Sequence, residues 1–428
     1  MIASVLVMHM LKFQPFLLLA RLLKILHIGK YFSPFSGGLE NYMRDAMVAL
    51  SRRGIESVAL VHRHTLSLRS QDEEFSASGQ KFRVTRTGMW ARLLYTPISP
   101  AFPWQLRRII KTAKPDFLHL HLPNPSVFWA LLLPSARRIP WVVHWHSDVI
   151  TSAQGWLMRL VYRVFRPIEQ KLLRHAAAIV ATSAPYRDSS QALQPWLDKC
   201  HVVPLGVNTD RYARTKNHVA SQTPPGQMSE SEAHLEGANN IPPPLKVLAV
   251  GRLTYYKGFR YLVEAVADTT NVRVKLVGRG EEAVKLKELV TSLNLADRVS
   301  LAGHLSDDAL AREMADCDCL CLPSIERTEA FGMVLLEAMY FGKATIIGAV
   351  EGSGMGWIVD DGVTGFKVSP ASSKALAKAL GQLADNREDC ILMGQMGRKK
   401  FNQQFEINRA VEGLVTIYQQ YQAMEQAT

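Results

Sequence analysis

The sequence predicts an α/β protein made of two doubly wound, Rossmann-like domains that face one another across a cleft. A chain of 428 residues is too long for one ordinary hydrophobic core and fits two domains of about 200 residues each. Apolar runs of strand length alternate with amphipathic helical stretches on both sides of a polar segment near the middle of the chain. Because strand, helix, strand repeats form parallel sheets with right-handed crossovers, each half predicts one such sheet.

The first domain is predicted to span residues 22–212. Its apolar runs predict strands at residues 22–28, 56–61, 117–121, 141–144 and 177–182, and a last strand and exit turn within 201–210. Helical spacing of apolar residues predicts helices at residues 39–53, 104–113, 126–137 and 155–175.

An apolar extension, residues 1–21, precedes this domain. Lys12, Pro15 and Arg21 interrupt it, so it has no run of about 18 apolar residues that could span a membrane. It also has neither the charged start nor the small-residue cleavage site of a signal peptide. We interpret it as an extension before the first strand; a start site mis-assigned upstream of Met10 and an interfacial membrane anchor are the alternatives.

The middle of the chain changes in composition. Residues 213–244 are rich in Ser, Pro, Gly, Glu and Asn and poor in large apolar residues, which predicts a disordered linker. The second domain, residues 245–403, then repeats the alternating pattern. Its strands are predicted at residues 245–250, 272–277, near 299 and 317–322, and its helices at 257–267, 282–293, 307–315 and 372–384. A helix at 405–424 occupies the last segment, residues 404–428.

Charge is distributed unevenly along the chain. Residues 1–240 carry 29 Lys and Arg against 15 Asp and Glu, a net charge of +14, whereas residues 241–428 carry 21 against 23, a net charge of −2. A basic first half suggests an anionic partner, such as acidic lipid, a lipid phosphate or nucleic acid. An ordinary basic surface is the alternative.

The five cysteines favour a reducing compartment. Cys317, Cys319 and Cys321 alternate along one predicted strand, so their side chains would share a face, and they lack the C-x2-C spacing of a zinc site. We interpret them as small core residues of a cytoplasmic protein.

One stretch of the second domain, residues 324–342, combines the features of an anion site. It reads S-I-E-R-T-E-A-F-G-M-V-L-L-E-A-M-Y-F-G, and its apolar spacing predicts a helix over 332–341 that ends at Gly342. The free N–H groups at the start of a helix suit a phosphate or diphosphate. Glu329 and Glu337 flank this start. Carboxylates bind anions poorly, so we expect both to accept hydrogen bonds from hydroxyl groups, as on a nucleotide sugar; two acids on a solvated helix face are the alternative.

A basic loop follows the first strand of the second domain. It reads G-R-L-T-Y-Y-K-G over residues 251–258, and ligands of open α/β sheets bind at the carboxyl ends of strands. Arg252 offers a fork that matches phosphate oxygens and Lys257 a point charge, so both could neutralise a diphosphate. An ordinary basic loop is the alternative. Gly278 lies in a second strand-end turn, V-G-R-G-E, which is weak evidence by itself.

On the first domain, glycines and histidines stand at strand ends. Gly37 and Gly38 lie between the first strand and first helix, where a backbone without side chains can approach a phosphate or sugar. The run V-V-H-W-H-S-D places His146 at the end of a strand that faces the expected cleft. We interpret His119, His121 and His144 as structural.

These motifs together resemble a known family. The E-x7-E spacing of Glu329 and Glu337, with F-G-M between them, resembles the signature of the retaining glycosyltransferases of the GT-B fold, the large group 1 family that includes bacterial mannosyltransferases and sucrose and glycogen synthases. Arg252, Lys257 and His146 match that family's positions. The resemblance covers nearly the whole chain from Leu22, apart from the linker, and implies that the last helix crosses back to the first domain.

The resemblance implies a role for each site residue. Arg252 and Lys257 would neutralise the diphosphate, Glu337 would bind the ribose hydroxyls, and Glu329 the sugar hydroxyls as a catalytic residue. His146 would be the second catalytic residue and would position the sugar. Further donor contacts are assigned to Gly38, Gly278, Phe331, Gly332, Met333 and Val334, and a phosphate-loop or acceptor-side contact to Gly37.

The implied reaction moves a hexose, with mannose favoured, from a nucleoside diphosphate sugar to a glycan or lipid-linked acceptor in bacterial surface polysaccharide or lipopolysaccharide synthesis. We expect no metal and no cofactor, because the two basic residues supply the charge that a metal would. We also expect a cytoplasmic enzyme that docks on an anionic membrane surface through helices near residues 104–114 and 159–174.

Two other functions remain open at this point. A nucleotide-sugar epimerase shares the paired domains but usually needs acids and bases around the anomeric centre. A nucleic-acid-binding protein would explain the basic first half. However, the predicted strand faces lack interleaved aromatic and basic residues, so we expect no nucleic-acid partner.

Overall fold

The computed structural model describes residues 23–35, 37–93, 96–148, 156–212 and 242–427. The predicted extension, residues 1–21, and residues 213–241 of the predicted linker lie outside the described residues.

The first domain is built on one eight-stranded sheet. Its order is β10-β9-β8-β7-β1-β2-β4-β3, and all neighbours are parallel except β3 and β4. The strands are β1 (Lys24–Ile28), β2 (Glu56–Leu66), β3 (Gln71–Ala77), β4 (Gln80–Met89), β7 (Phe117–Leu122), β8 (Trp141–Trp145), β9 (Ala178–Ala181) and β10 (Cys200–Val202); β5 (Ala91–Leu93) and β6 (Thr96–Ile98) form a separate hairpin. The helices are α1 (Gly38–Ser51), α2 (Phe102–Ala113), α3 (Pro134–Arg137), α4 (Trp156–His175) and α5 (Ala184–Ser189).

Several parts of this domain differ from the prediction: the hairpin of β5 and β6 and the short α5 were not predicted, and two further differences have a physical reason. The hairpin of β3 and β4 was not predicted, because β3 is a polar and largely exposed edge strand, Q-D-E-E-F-S-A, with no apolar run to mark it. The predicted helix at residues 126–137 is instead a 3₁₀ helix, Pro125–Leu131, followed by the short α3. A proline starts each piece, which explains why one continuous helix does not form.

The second domain has a six-stranded, fully parallel sheet in the order β13-β12-β11-β14-β15-β16. Its strands are β11 (Leu245–Val250), β12 (Val272–Val277), β13 (Val299–Gly303), β14 (Cys319–Leu322), β15 (Ala344–Gly348) and β16 (Gly365–Val368). Its helices are α6 (Phe259–Ala267), α7 (Ala283–Ser292), α8 (Asp307–Asp316), α9 (Met333–Tyr340), α10 (Met355–Ile358), α11 (Ser373–Asp385) and α12 (Arg387–Gln404). The sequence interpretation gave no range for α10, α12, β15 or β16.

The last helix, α13 (Ile407–Ala427), packs against α1 of the first domain. At its start, the N–H of Ile407 donates to the carbonyl of Val207, 3.2 Å away. Further along, buried Tyr418 lies within hydrogen-bonding distance of His119 on β7. The helix therefore belongs to the core of the first domain although it follows the second domain in the chain.

One hydrophobic core runs through both domains. It contains apolar residues from α1, from the β8 and β9 face of the first sheet, from α9 and from α13. A second core lies beneath α2, the 3₁₀ helix and α4 on the opposite face of the first sheet. The first sheet is thus covered by α1 and α13 on one face and by α2, α3 and α4 on the other.

The described cysteines are free thiols, and four of the five are buried. Cys319 and Cys321 lie together on β14 and pack in the core of the second domain. Cys317 does not share their face as predicted, because it caps the C-terminus of α8 before the strand begins and packs in the core that joins the two domains.

Within the described ranges, no helix combines the length and the apolar character needed to cross a membrane.

Candidate active site

A cavity of about 360 Å³ lies between the two domains. Strand-end loops of both sheets line it, which is where ligands of open α/β sheets bind. From the first domain the lining includes Lys30, Gly37, Gly38, Glu40 and His146, and from the second Arg252, Glu329, Phe331, Gly332 and Met333. The structure therefore brings eight of the predicted site residues together, namely Gly37, Gly38, His146, Arg252, Glu329, Phe331, Gly332 and Met333. Lys257, Gly278, Val334 and Glu337 lie outside this lining.

Gly332 sets the start of α9 at the cavity. Its φ of +86° is in the left-handed region, which favours glycine. A Cβ there would also lie 3.0 Å from Leu335 and 3.1 Å from Leu322, so a side chain would fit only if these two leucines shifted. The helix thus begins at Met333 with its N-terminus toward the cavity. Its first N–H groups and the positive end of its dipole form a site for an anion.

Lys257 and Glu329, both predicted to hold the donor, contact each other directly. The Lys257 Nζ pairs with Oε2 of Glu329, and the two side chains are only 11% and 12% exposed. The Ser324 hydroxyl donates to the same carboxylate oxygen at 3.4 Å. Gly251 makes room for the lysine, since a Cβ at that position would lie 3.1 Å from its Nζ. Each side chain therefore neutralises the other.

Three charged groups face one another across the cavity mouth. Arg252 of the second domain is exposed and lies in the field of Lys30 and Glu40 of the first. Burial raises the pKa of the Glu40 carboxyl, and its own backbone N–H, Lys30 and Arg252 oppose that rise. Burial lowers the pKa of Lys30, and Glu40 opposes that change. Lys30 and Glu40 were missed in the sequence, although the G-K-Y run and an acid in the first turn of α1 were available signals.

The first-domain glycines do not form an empty phosphate loop. A Cβ on Gly37 would lie 2.2 Å from the Glu40 carboxylate, so this carboxylate occupies the N-terminus of α1. A Cβ on Gly38 would lie 3.3 Å from the side chain of Met333. Gly38 thus allows α1 of one domain to approach α9 of the other.

His146 lies at the end of a chain of buried imidazoles. Its Nε2 is 3.0 Å from Nδ1 of His121, and Nε2 of His121 is 3.3 Å from Nδ1 of His27. Burial lowers the pKa of His146 and of His27 to about 3, so both are neutral. The Nδ1 of His146 has no protein partner among the described residues, and the side chain lines the cavity. A neutral imidazole with one open nitrogen can hydrogen-bond a sugar hydroxyl.

A parallel pair of imidazoles lies beside this chain. Nε2 of His119 is 3.1 Å from Nδ1 of His144, and the other side of His119 meets the Tyr418 hydroxyl. The structural interpretation of these histidines is consistent with this internal pairing. Nitrogens of His119, His121 and His144 lie within 4.8 Å of one another, as metal ligands could. However, the His121 and His144 rings are stacked at an interplanar angle of 18°, and paired nitrogens point at each other, which favours hydrogen bonding over a shared ion.

The structure directs Glu337 toward a cation of the first domain. Its Oε1 lies 3.9 Å from Nη1 of Arg211, which also lies 3.5 Å from Asp45 on α1. The same guanidinium lies 3.5 Å from Asp307 at the start of α8. Burial raises the pKa of Glu337, and Arg211 opposes this rise. Arg211 was not identified in the sequence, because nothing in its local run T-D-R-Y indicates a contact with a residue so far along the chain.

A second arginine bridges the domains near the E-x7-E segment. Arg327 donates to Asp148 at 2.7 Å and to the Ser189 hydroxyl at 3.0 Å, both on the first domain. Its guanidinium also lies over the ring of Tyr186, 4.5 Å from the centroid. Asp148 follows His146 on the same strand-end loop, so this contact ties the histidine loop to the segment that contains Glu329.

Gly278 and Val334 do not line the cavity, and each packs against other parts of the protein. Gly278 has a φ of +149°, and a Cβ there would lie 1.8 Å from the carbonyl oxygen of Gly251. Its N–H donates to the carbonyl of Gly303 at 2.7 Å. The three strand-end loops of the second sheet therefore pack backbone to backbone at Gly278. Val334 is partly buried against the core that joins the domains.

Comparisons with known proteins agree with this architecture. Residues 37–206 match the glycosyl transferase 4-like domain, and residues 232–400 match the glycosyl transferases group 1 domain. O-antigen chain mannosyltransferase C of Escherichia coli is 27% identical over 92% of this chain and 98% of its own. D-rhamnosyltransferase WbpZ of Pseudomonas aeruginosa is 27% identical over 90% of this chain and 92% of its own.

Solved structures show the same fold. Sucrose-phosphate synthase from Thermosynechococcus elongatus aligns with a TM-score of 0.74 at 22% identity, covering 94% of this chain and 100% of that one. The Anabaena HepE protein in complex with UDP and glucose aligns with a TM-score of 0.67 at 20% identity, covering 95% of this chain and 100% of that one. The chain is therefore a glycosyltransferase of the GT-B fold and belongs to the family in which a glycosyl transferase 4-like domain precedes a group 1 domain.

Proposed function

We propose that the protein is a retaining glycosyltransferase that moves a hexose, mannose or a close relative, from a nucleoside diphosphate sugar to a glycan or lipid-linked acceptor. The observation that carries this proposal is the cavity between the domains. There the N-terminus of α9 and Arg252 offer an anion site opposite the neutral His146. The names of the two full-length relatives, a mannosyltransferase of an O-antigen chain and a rhamnosyltransferase, support the choice of sugar and of bacterial surface polysaccharide or lipopolysaccharide.

Donor binding would exchange ion pairs already present in the chain. The diphosphate would meet Arg252 and the free N–H groups of α9, and would compete with Glu329 for Lys257. A Glu329 carboxylate released from the lysine could accept hydrogen bonds from the sugar hydroxyls. Glu337 could bind the ribose if Arg211, now 3.9 Å away, moves with the domains.

The transfer would proceed on one face of the sugar. The bond between the anomeric carbon and the diphosphate oxygen breaks, the acceptor oxygen bonds to that carbon from the same side, and the departing phosphate takes the acceptor proton. The alternative double displacement needs a carboxylate nucleophile. Glu329 is paired with Lys257, and Glu40 caps α1, which makes both poor candidates. His146 would position the sugar, because its low pKa keeps it neutral.

Positive charge of the protein beside the departing diphosphate would stabilise the transition state without a metal or another cofactor. Two basic side chains and a helix N-terminus would supply that charge, and such preorganised charge stabilises a transition state strongly. We further propose that the enzyme works at the cytoplasmic face of an anionic membrane, where a lipid-linked acceptor would be presented. The net charge of +14 on residues 1–240 supports this location.

The test is a screen of GDP-sugars and UDP-sugars for slow hydrolysis without acceptor, followed by NMR of the product anomer. We expect hydrolysis of GDP-mannose or a related donor, with the anomeric configuration of the donor kept in the first-formed product. Inverted product would contradict the retaining mechanism. Release of an epimerised sugar, with no transfer to any added acceptor, would favour an epimerase of the same fold instead.

A further inference from the structure

We propose that the outer face of α4 (Trp156–His175) docks the protein on an anionic phospholipid bilayer. This face, the α4 ridge, has exposed apolar side chains at Leu160, Val164 and Ile168, which are 53%, 72% and 46% exposed. Their spacing of four residues aligns them along one side of the helix. A side chain such as Val164, nearly three-quarters exposed to solvent, lacks the packing that the buried face of the same helix provides.

Basic side chains flank this apolar line. Arg163, Lys171 and Arg174 are exposed on the side of α4 that carries Leu160 and Val164, and Arg166 is exposed on another side of the helix. The one acidic residue of the helix, Glu169, is fully buried, where its Oε2 accepts a hydrogen bond from Tyr162 at 2.8 Å. The outward face of α4 is therefore apolar and cationic with no exposed carboxylate.

A basic hollow adjoins the ridge. It encloses about 860 Å³ between α3 and α4, and Arg137, Arg138, Lys171 and Arg174 line it. The segments that cover this side of the sheet, residues 102–113 and 125–137, contain no acidic residue at all. The hollow thus presents four cations and no exposed carboxylate of α3 or α4 to a phosphate headgroup.

The neighbouring helices extend the same character. Trp104 on α2 and Trp129 on the 3₁₀ helix are 64% and 40% exposed. The 3₁₀ helix packs against both α2 and α4, so the tryptophans belong to the same side of the domain as the ridge. Aromatic side chains of this kind are favoured at the boundary between headgroups and acyl chains.

The charge of the α4 ridge favours an anionic bilayer as its partner. An apolar line flanked only by Lys and Arg fits an anionic bilayer, where apolar tips reach the acyl boundary and the cations remain among the phosphates. This attraction is screened by salt.

The position of the α4 ridge also suits the proposed function. Only this step of the inference rests on the proposed function. The strand β8 ends at the cavity, and His146 follows it there. Since α4 is the next helix after that strand end, its first turns lie toward the cavity edge of the sheet. Docking by the α4 ridge would hold the cavity mouth beside the lipid surface.

The experiment uses the full chain and sedimentation with vesicles. Vesicles of phosphatidylcholine alone are compared with vesicles that contain about one-third phosphatidylglycerol, between about 0.05 and 0.5 M salt. We expect binding to the anionic vesicles only, and a steep fall of binding with salt. Binding equal on both vesicle types, or unchanged by salt, would overturn the proposal.

Two sets of variants, each with a matched control on the second domain, locate the contact. The four substitutions R163Q, R166Q, K171Q and R174Q should lower binding at least about 100-fold, since each cation near an anionic surface contributes about fivefold. The control K285Q, K287Q, K374Q and K378Q removes four exposed charges from α7 and α11 and should bind nearly as the parent does. The substitution V164E should likewise abolish binding, whereas V284E, at a site 66% exposed on α7, should not.

All of these residues are exposed, so the variants should fold, and unchanged thermal melting checks this. Donor hydrolysis without vesicles should also be unchanged in every variant. If the parent binds anionic vesicles but hydrolyses no donor, the proposed function is refuted and docking through the α4 ridge is not. If the α4 variants and their control variants bind anionic vesicles equally, docking through the α4 ridge is refuted, whatever the rate of donor hydrolysis.

Discussion

Replacement of Lys257 by methionine should both destabilise the second domain and remove activity. The lysine and Glu329 are 11% and 12% exposed, so the substitution leaves a nearly buried carboxylate with Ser324 as its remaining side-chain partner. Removal of one partner from a buried ion pair costs about 3–5 kcal/mol, and the residual exposure lowers this to about 2–4 kcal/mol. For a domain of this size, each kcal/mol shifts the melting temperature by about 2–4 °C. We therefore expect a fall of at least about 4 °C.

The double variant K257M/E329Q separates stability from chemistry. Because the second substitution removes the uncompensated charge, it should recover at least about 1 kcal/mol of the lost free energy of unfolding. Activity should stay about 100-fold or more below the parent in both variants, since the diphosphate loses a cation. The control K275M breaks an ion pair to Glu313 whose partners are 41% and 29% exposed, and it should cost less than about 1 kcal/mol.

Thermal melting and donor hydrolysis are the two measurements. If K257M is no less stable than K275M, or if the double variant is no more stable than K257M, then the pairing of Lys257 with Glu329 does not exist in solution. If hydrolysis persists at the parent rate in K257M, the lysine has no part in donor activation.

Four further outcomes can be checked. Arg252→Ala should lower turnover at least about tenfold with little change in melting temperature, because the side chain is exposed, whereas Arg260→Ala on α6 should leave turnover unchanged. Activity should survive excess EDTA; a loss that magnesium or manganese restores would show that carboxylate ligands were missed. Gly332→Ala should destabilise the protein by about 1–3 kcal/mol because of its positive φ, while Gly356→Ala, where a Cβ meets open space, should not. Burial holds the pKa of His146 and of His27 at about 3 in the folded chain, against about 6.5 in the unfolded chain, so the unfolded chain gains protons first as the pH falls below about 6.5. The free energy of unfolding should therefore fall between pH 7 and pH 5.5, by about 3 kcal/mol for the two histidines together. A free energy of unfolding that does not change with pH in chemical denaturation would contradict the buried cluster.

Sequence reasoning predicted the fold class because each half alternates apolar strands with amphipathic helices. The start of α9 was found for a local reason: Gly332 and the apolar spacing after it mark a helix N-terminus, and its φ of +86° shows why a glycine stands there. The edge strand β3 was missed because it is mostly polar and only partly buried even on the face that packs against the core, so it lacks the apolar periodicity that identifies a strand.

The pairing of charges could not be predicted in the same way. Periodicity describes neighbours along one element, whereas Lys257 meets Glu329 and Arg211 meets Glu337 only after two separate elements pack together. The sequence interpretation assigned each of these carboxylates to a ligand hydroxyl. In the structure each of them also lies beside a protein cation, since a nearly buried carboxylate without a partner would be costly.

Two ion pairs near the expected donor site join the two domains. Arg211 belongs to the first domain and contacts Glu337 of the second, and Arg327 of the second contacts Asp148 of the first. The E-x7-E segment is therefore held to the first domain near both of its carboxylates. A change in the angle between the domains would alter both contacts, and a donor that binds to the segment would change the charges near them. Glu337, which is expected to bind the donor, is therefore also part of the contacts that join the two domains.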